Sequence, residues 1–169
     1  MALTRRRALA LIALLGALPA AAATQARWTT DSPRPGAATL AFHLLAPIGS
    51  PDALRLPLRG SGTTVPVHRE VLLSLADLDA VKVLPVTAAH ANLGFQLTAA
   101  ATETYRDLTA THIGRQLAVV VNGELVMIPF ILSENATGQG FIRNITEGEA
   151  RSIASRVGKE IDAGHAHSR

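Results

Sequence analysis

Leu93 to Phe130 reads LGFQLTAAATETYRDLTATHIGRQLAVVVNGELVMIPF, and this stretch decides the fold. Leu93, Phe95 and Leu97 alternate with Gly94 and Gln96, the period-2 pattern of a strand buried on one face. Thr98 then offers a hydroxyl at the start of a run in which Ala101, Tyr105, Leu108 and His112 share one helical face. Gly114 stands where such a helix ends. Gln116 to Val121 is a continuous apolar strand. Asn122-Gly123 is the dipeptide that tolerates positive φ at both centres of a type I′ turn, so Glu124 to Leu132 is expected to return antiparallel. Pro129 has no amide hydrogen, which places it at a sheet edge or a bulge.

Working outward, Val81 to Val86 is a strand that pairs with Leu93 to Leu97 across a polar turn near His90 and Asn92. Leu40, Phe42 and Leu44 form a strand apolar on both faces. Leu54, Leu56 and Leu58 form a short strand with Pro57 at an edge, Gly60-Ser61-Gly62 a turn, and Val65 to Val67 another extended piece. Ser74 to Asp77 has capping-box spacing for a brief helical turn. Downstream, Ser133 to Gly140 is a polar loop and Phe141 to Arg143 a short strand. Thr146 and Glu149 form a capping box for a last helix whose stripe is Ala150, Ile153, Ala154 and Val157, ended by Gly158 or Gly164. The sum is an α+β domain over residues 38–162: a short antiparallel sheet with two main helices packed on one side.

The chain has 169 residues, 48% hydrophobic and 17% charged, with no cysteine, which excludes a disordered tail, a disulfide scaffold and thiolate chemistry. Arg5 to Arg7, the apolar run Ala8 to Leu18 and the small residues around Ala20 to Ala23 have the order of an export signal, too short to span a bilayer. Cleavage after Ala23 or Ala26 leaves a periplasmic or secreted chain without a membrane span. Either the general secretory or the twin-arginine route fits the leader. Residues 24–37 are expected to be a flexible arm and 163–169 a frayed tail. The formal charge of +3 equals the contribution of the three leader arginines. The remainder is balanced and carries no basic field for nucleic acid.

Val65 to Val157 resembles the periplasmic head subdomain of the SecD/SecDF protein-export family. The resemblance rests on ordered features: the segment Val67 to Val81; Phe95-Gln96-Leu97-Thr98, then Leu108-Thr109 and Ile113-Gly114-Arg115-Gln116-Leu117-Ala118-Val119-Val120; Asn122-Gly123 followed by Pro129; Gly138 and Gly140; and Thr146 with Glu149-Ala150. Asn122 stands where the family has Asp, and Met127-Ile128 where it has a small pair. The resemblance implies a head-like α+β fold in a free-standing exported copy. It also implies contact with polypeptide and an accessory part in export or quality control, without proton-coupled transport of its own.

No constellation points to catalysis, a metal or a cofactor. His43, His68, His90 and His112 lack ligand spacing, and His165 and His167 have no third partner nearby. Gly138-Gln139-Gly140 begins like a dinucleotide fingerprint, but Arg143 occupies the last glycine position and a strand follows. Asn135-Ala136-Thr137 and Asn144-Ile145-Thr146 fit the glycosylation sequon and are given no functional weight. The candidate peptide contacts are Asn122, Gly123, Met127 and Pro129 in the hairpin, with Gly138, Gly140 and Phe141 in the following loop. Together they suggest an edge able to accept an extended chain by strand addition, with Phe130 expected in the core. Two other classes stay open. One is a small secreted enzyme using His68 or His90 beside a perturbed carboxylate. The other is an inhibitor or assembly partner with a flat apolar patch.

Overall fold

Strand β1 (Leu40–Leu44) and strand β7 (Leu117–Val121) are the inner strands of one sheet, because side chains that are apolar at every position except His43 make them burial-compatible on both faces. They pair antiparallel from Leu40 opposite Val121 to Leu44 opposite Leu117. The computed structural model describes residues 39–158. The expected leader 1–23, arm 24–37 and tail 163–169, with His165 and His167, lie outside the described residues.

On one side of this pair lies β4 (Leu73–Ser74) and on the other β8 (Glu124–Met127), giving a four-stranded antiparallel sheet in the order β4-β1-β7-β8. Asn122 and Gly123 have φ of +52° and +83°, as the turn between β7 and β8 requires. A second sheet holds β5 (Leu78–Pro85), β6 (His90–Leu97) and β9 (Gln139–Thr146) in that order. β2 (Leu54–Pro57) and β3 (Thr64–Val67) pair as a separate hairpin. The α+β class holds, with the strands shared among three hydrogen-bonded groups.

Helix α1 (Ala99–Thr111) starts where the Thr98 hydroxyl accepts the Ala101 amide at 3.2 Å. At its other end the His112 ring Nδ1 lies 2.9 Å from the Leu108 carbonyl, so that nitrogen carries the proton and donates it. Helix α2 (Glu147–Val157) has the complete Thr146–Glu149 capping box and ends at Gly158, φ +72°. Its buried Ala150 and Ile153 join one core with Phe42, Val119, Val121, Leu93, Phe95 and Ile142. The Phe42 and Phe95 rings meet edge to face, with centroids 5.8 Å apart, and tie the two larger sheets together. The opposite face of the four-stranded sheet packs Ala118, Val120 and Leu125 against Val67 and the leucines of β2.

Several elements differ from the sequence expectation: β5 begins at Leu78 and β6 at His90, so His90 and Asn92 lie in a strand and not in the turn between the two. The return strand β8 stops at Met127 instead of running to Leu132. β9 extends over Gln139–Thr146 instead of Phe141–Arg143, because a bulge hides it. Ala91 faces Ile145 and Leu93 faces Ile142, so Arg143 and Asn144 together oppose Asn92, with Asn144 at φ +61°. The two buried side chains of this strand, Ile142 and Ile145, are therefore three residues apart and break the alternation by which a strand is read.

Candidate functional site

Past the end of β8 the chain stays beside β7. The Leu117 amide donates to the Pro129 carbonyl at 2.9 Å, and the Ile131 amide to the Arg115 carbonyl at 2.8 Å. Proline can sit there because its carbonyl is used and no amide is needed. Ile131 turns inward onto Leu44 and Leu117. Alternation then sends Phe130 and Leu132 outward, 59% and 83% exposed. Phe130 is thus a surface residue, contrary to the core position expected of it.

The loop after Leu132 is held by Asn135. Its amide nitrogen donates to the Thr109 hydroxyl at 2.8 Å, its side-chain oxygen accepts the amides of Thr137 and Gly138 at 3.1 Å each, and its Nδ2 donates to the Gln139 carbonyl. These bonds leave a groove of about 350 Å³ between this loop and α1, lined by Tyr105, Thr109, Leu117 and the segment Pro129 to Thr137. Burial raises the Tyr105 phenol above its ordinary pKa, so it remains a neutral hydroxyl. A groove lined by the Tyr105 ring, two exposed apolar side chains and the polar residues Thr109, Ser133, Glu134 and Asn135, with fixed loop backbone, can hold an extended chain.

The sequence-predicted contacts are not brought together into one site. Asn122 is a staple: its Oδ1 accepts the Thr39 amide at 3.0 Å and its Nδ2 donates to Glu149 at 3.1 Å. Gly123 is the adjoining turn. Met127 is half-buried against the main core, and its sulfur accepts the Arg143 amide at 3.4 Å. Pro129 lines the groove. Gly138 and Gly140 do not present open backbone. A Cβ on Gly138 would collide with Thr102, and one on Gly140 would collide with the Phe95 ring. Phe141 is 59% exposed and covers Gly94 on the neighbouring strand, away from the groove lining.

The β8 edge expected to accept a peptide strand is occupied by this chain. The Leu125 carbonyl takes the Arg59 amide at 2.9 Å, and the Val126 carbonyl takes Asn144 Nδ2 at 3.2 Å. Strand addition at Leu125 and Val126 would have to displace these bonds, a correction that spacing along the chain could not supply. Phe130, Ile131 and Leu132 are three consecutive apolar residues, so the sequence carries no signal for which of them turns inward. Both sequon asparagines use their side-chain amides in hydrogen bonds.

His43 is buried, and its Nδ1 lies 2.9 Å from the carbonyls of both His68 and Glu70. Two acceptors require that Nδ1 carry the hydrogen. Burial lowers its pKa, against the smaller opposing effect of those two bonds. Among the described residues the carboxyl with a perturbed pKa is Glu149. Burial acts to raise it, but hydrogen bonds from Arg59 and Thr146 outweigh that and hold it below the usual value. Its hydrogen-bond partners are Arg59, Asn122 and Thr146, with neither His68 nor His90 beside it. Among the described residues no group of three or more His, Asp or Glu is gathered as metal ligands would be, and no helix is long and apolar enough to cross a membrane.

A family model described as SecDF, P1 head subdomain, matches residues 53–158. Over 100 residues, 59% of this chain, the sequence is 26% identical to the protein translocase subunit SecD of Thermobaculum terrenum; the match spans 18% of that protein. A solved structure described as that of SecDF, a membrane component that enhances protein export, aligns over 78% of this chain and 69% of its own, with a TM-score of 0.53 and 16% identity. A crystal structure of SecDF in a super-membrane-facing form aligns over 71% of this chain and 18% of its own, with a TM-score of 0.52 and 19% identity. At these identities the two structures speak for the fold.

Proposed function

Because the chain belongs to the SecDF P1 head subdomain family, we propose that it is an exported protein-interaction module that binds polypeptide outside the inner membrane and assists export or quality control. It acts by binding and not by catalysis. The observation that carries this reading is the pair Phe130 and Leu132, held outward beside the groove while Ile131 anchors the same segment in the core. Anchored backbone with exposed apolar side chains costs little ordering entropy when a partner arrives. The groove accepts successive apolar side chains of an extended chain, and Pro129 and Asn135 hold its wall. Pro129 is the one sequence-predicted contact retained in this reading.

The test is a titration of the ¹⁵N-labelled full chain with a reduced, unfolded secretory polypeptide. Saturable shifts are expected at Phe130 to Thr137 and at Tyr105 and Thr109. Phe130→Ala with Leu132→Ser is expected to weaken binding about tenfold or more, and to leave thermal unfolding within about 0.5 kcal/mol because both side chains are on the surface. A folded protein that shows no shifts overturns the reading. Self-association through Phe130 and Leu132, seen as concentration-dependent shifts without polypeptide, would favour an assembly partner instead.

A further inference from the structure

We infer that a second groove, on the flank of α1 facing the Glu70–Leu73 segment, takes an aliphatic side chain from a polypeptide that carries lysine or arginine beside it. The inference rests on the polypeptide-binding reading and adds a charge preference to it.

The groove has a volume of about 350 Å³. Its floor is Leu72, Leu73, Tyr105 and Leu108, of which Leu72, Tyr105 and Leu108 pack onto the small core of Leu44, Leu117 and Ile131. Val71, 43% exposed, stands on one lip. The leucines and the Tyr105 ring favour an aliphatic group, and the lining also includes the polar side chains of Thr104, Thr111 and His112.

Charge decides which aliphatic segment fits. Glu70 stands on the lip with Val71, and Asp107 stands on the α1 lip. No lysine or arginine lines the groove. Arg106, next to Asp107 in the chain, contacts it at 3.3 Å, but it also contacts Glu103 at 2.7 Å and Glu134 at 3.8 Å, so one positive charge faces three carboxylates. Arg69 is directed elsewhere by its 3.0 Å bond to the Asp52 carbonyl, and Arg115 lies 3.5 Å from the Leu45 carbonyl. The balance around the apolar floor is negative. A segment with a cation next to its aliphatic anchor meets two carboxylates, while one with an acidic neighbour meets like charge.

Two short acetylated and amidated peptides test this, with the same leucine centre flanked by lysines in one and glutamates in the other. Each is titrated into the ¹⁵N-labelled full chain. The lysine peptide is expected to bind about three- to tenfold more tightly, the scale of one or two exposed ion pairs, and to shift Glu70 to Leu73 and Tyr105 to His112. Added salt is expected to shrink the preference, and Glu70→Gln with Asp107→Asn to abolish it; both carboxylates are exposed, so the variant keeps the fold. Equal affinities, or shifts confined to Phe130 to Thr137, overturn this inference and leave polypeptide binding standing. Shifts nowhere overturn both. A peptide-free dimer in sedimentation with shifts at Val71 and Leu72 gives the groove to a second copy and also overturns it.

Discussion

Arg59, in the turn after β2, and Glu149, in the first turn of α2, are ninety residues apart and joined by two parallel hydrogen bonds of 2.8 and 2.9 Å. The guanidinium also reaches Glu124 at 3.0 Å and the Asn144 carbonyl at 3.1 Å. Glu149 accepts from Asn122 Nδ2 and from the Thr146 amide and hydroxyl as well. One carboxylate thus fixes the β2–β3 hairpin, the β7–β8 turn, the end of β9 and the start of α2. A bidentate arginine–carboxylate fork suits this because its geometry is rigid and both ions are largely shielded from water.

Glu149→Ala removes the fork and half of the capping box at once, and is expected to cost about 2–4 kcal/mol. Arg59→Ala is expected to cost less, because Glu149 keeps the Thr146 and Asn122 donors. The double variant is expected to be less destabilised than the two singles added, with a coupling of about 1 kcal/mol or more in urea unfolding. Strict additivity would show that the fork contributes nothing beyond its separate parts.

Stability is expected to decline as pH falls below about 6.5, the ordinary histidine value. The unfolded chain takes up a proton at His43 there, while the buried ring, with its lowered pKa, resists protonation until its own folded value is passed. Glu149 acts with the same sign further down: its stabilisation is full above the ordinary carboxyl value of 4.5 and is lost as pH falls through its lower folded pKa. His43→Asn keeps a donor near the two carbonyls but does not titrate. Urea midpoints measured against pH are expected to lose the upper part of the slope in this variant. An unchanged slope would assign the effect to another group.

Glycine-to-alanine changes are expected to have opposite signs at two sites. Gly140→Ala drives a methyl into the Phe95 ring and disturbs its contact with Phe42, for a cost of about 1–3 kcal/mol. Gly148→Ala, in α2 with open space around it, is expected to stabilise by up to about 1 kcal/mol through helix propensity. Thermal unfolding of the two variants checks both signs.

Thr109→Val is nearly isosteric but leaves the Asn135 amide without its 2.8 Å acceptor beneath the groove wall. The expected cost is about 1–3 kcal/mol, with faster amide hydrogen exchange at Asn135 to Gly138. Unchanged exchange there would mean that the loop is held by its internal Asn135 bonds alone.

The local elements were legible along the chain. The Thr98 and Thr146 caps, the Asn122-Gly123 turn and the central apolar strands all depend on residues within a few positions of one another, where backbone geometry is set by short-range sterics and hydrogen bonds. The family resemblance was legible for the same reason, as an ordered series of such short signals. Tertiary structure alone decided which edges are open. The β8 edge reads as exposed along the chain, yet Arg59 and Asn144 cover it from distant positions. Gly138 and Gly140 read as loop glycines, yet Thr102 and Phe95 crowd them. Phe130 reads as core, yet Ile131 takes the inward place beside Leu44 and Leu117. Long-range contacts settle these points because burial is a competition between neighbouring side chains for one interior, and the winner depends on what the rest of the chain brings to that place.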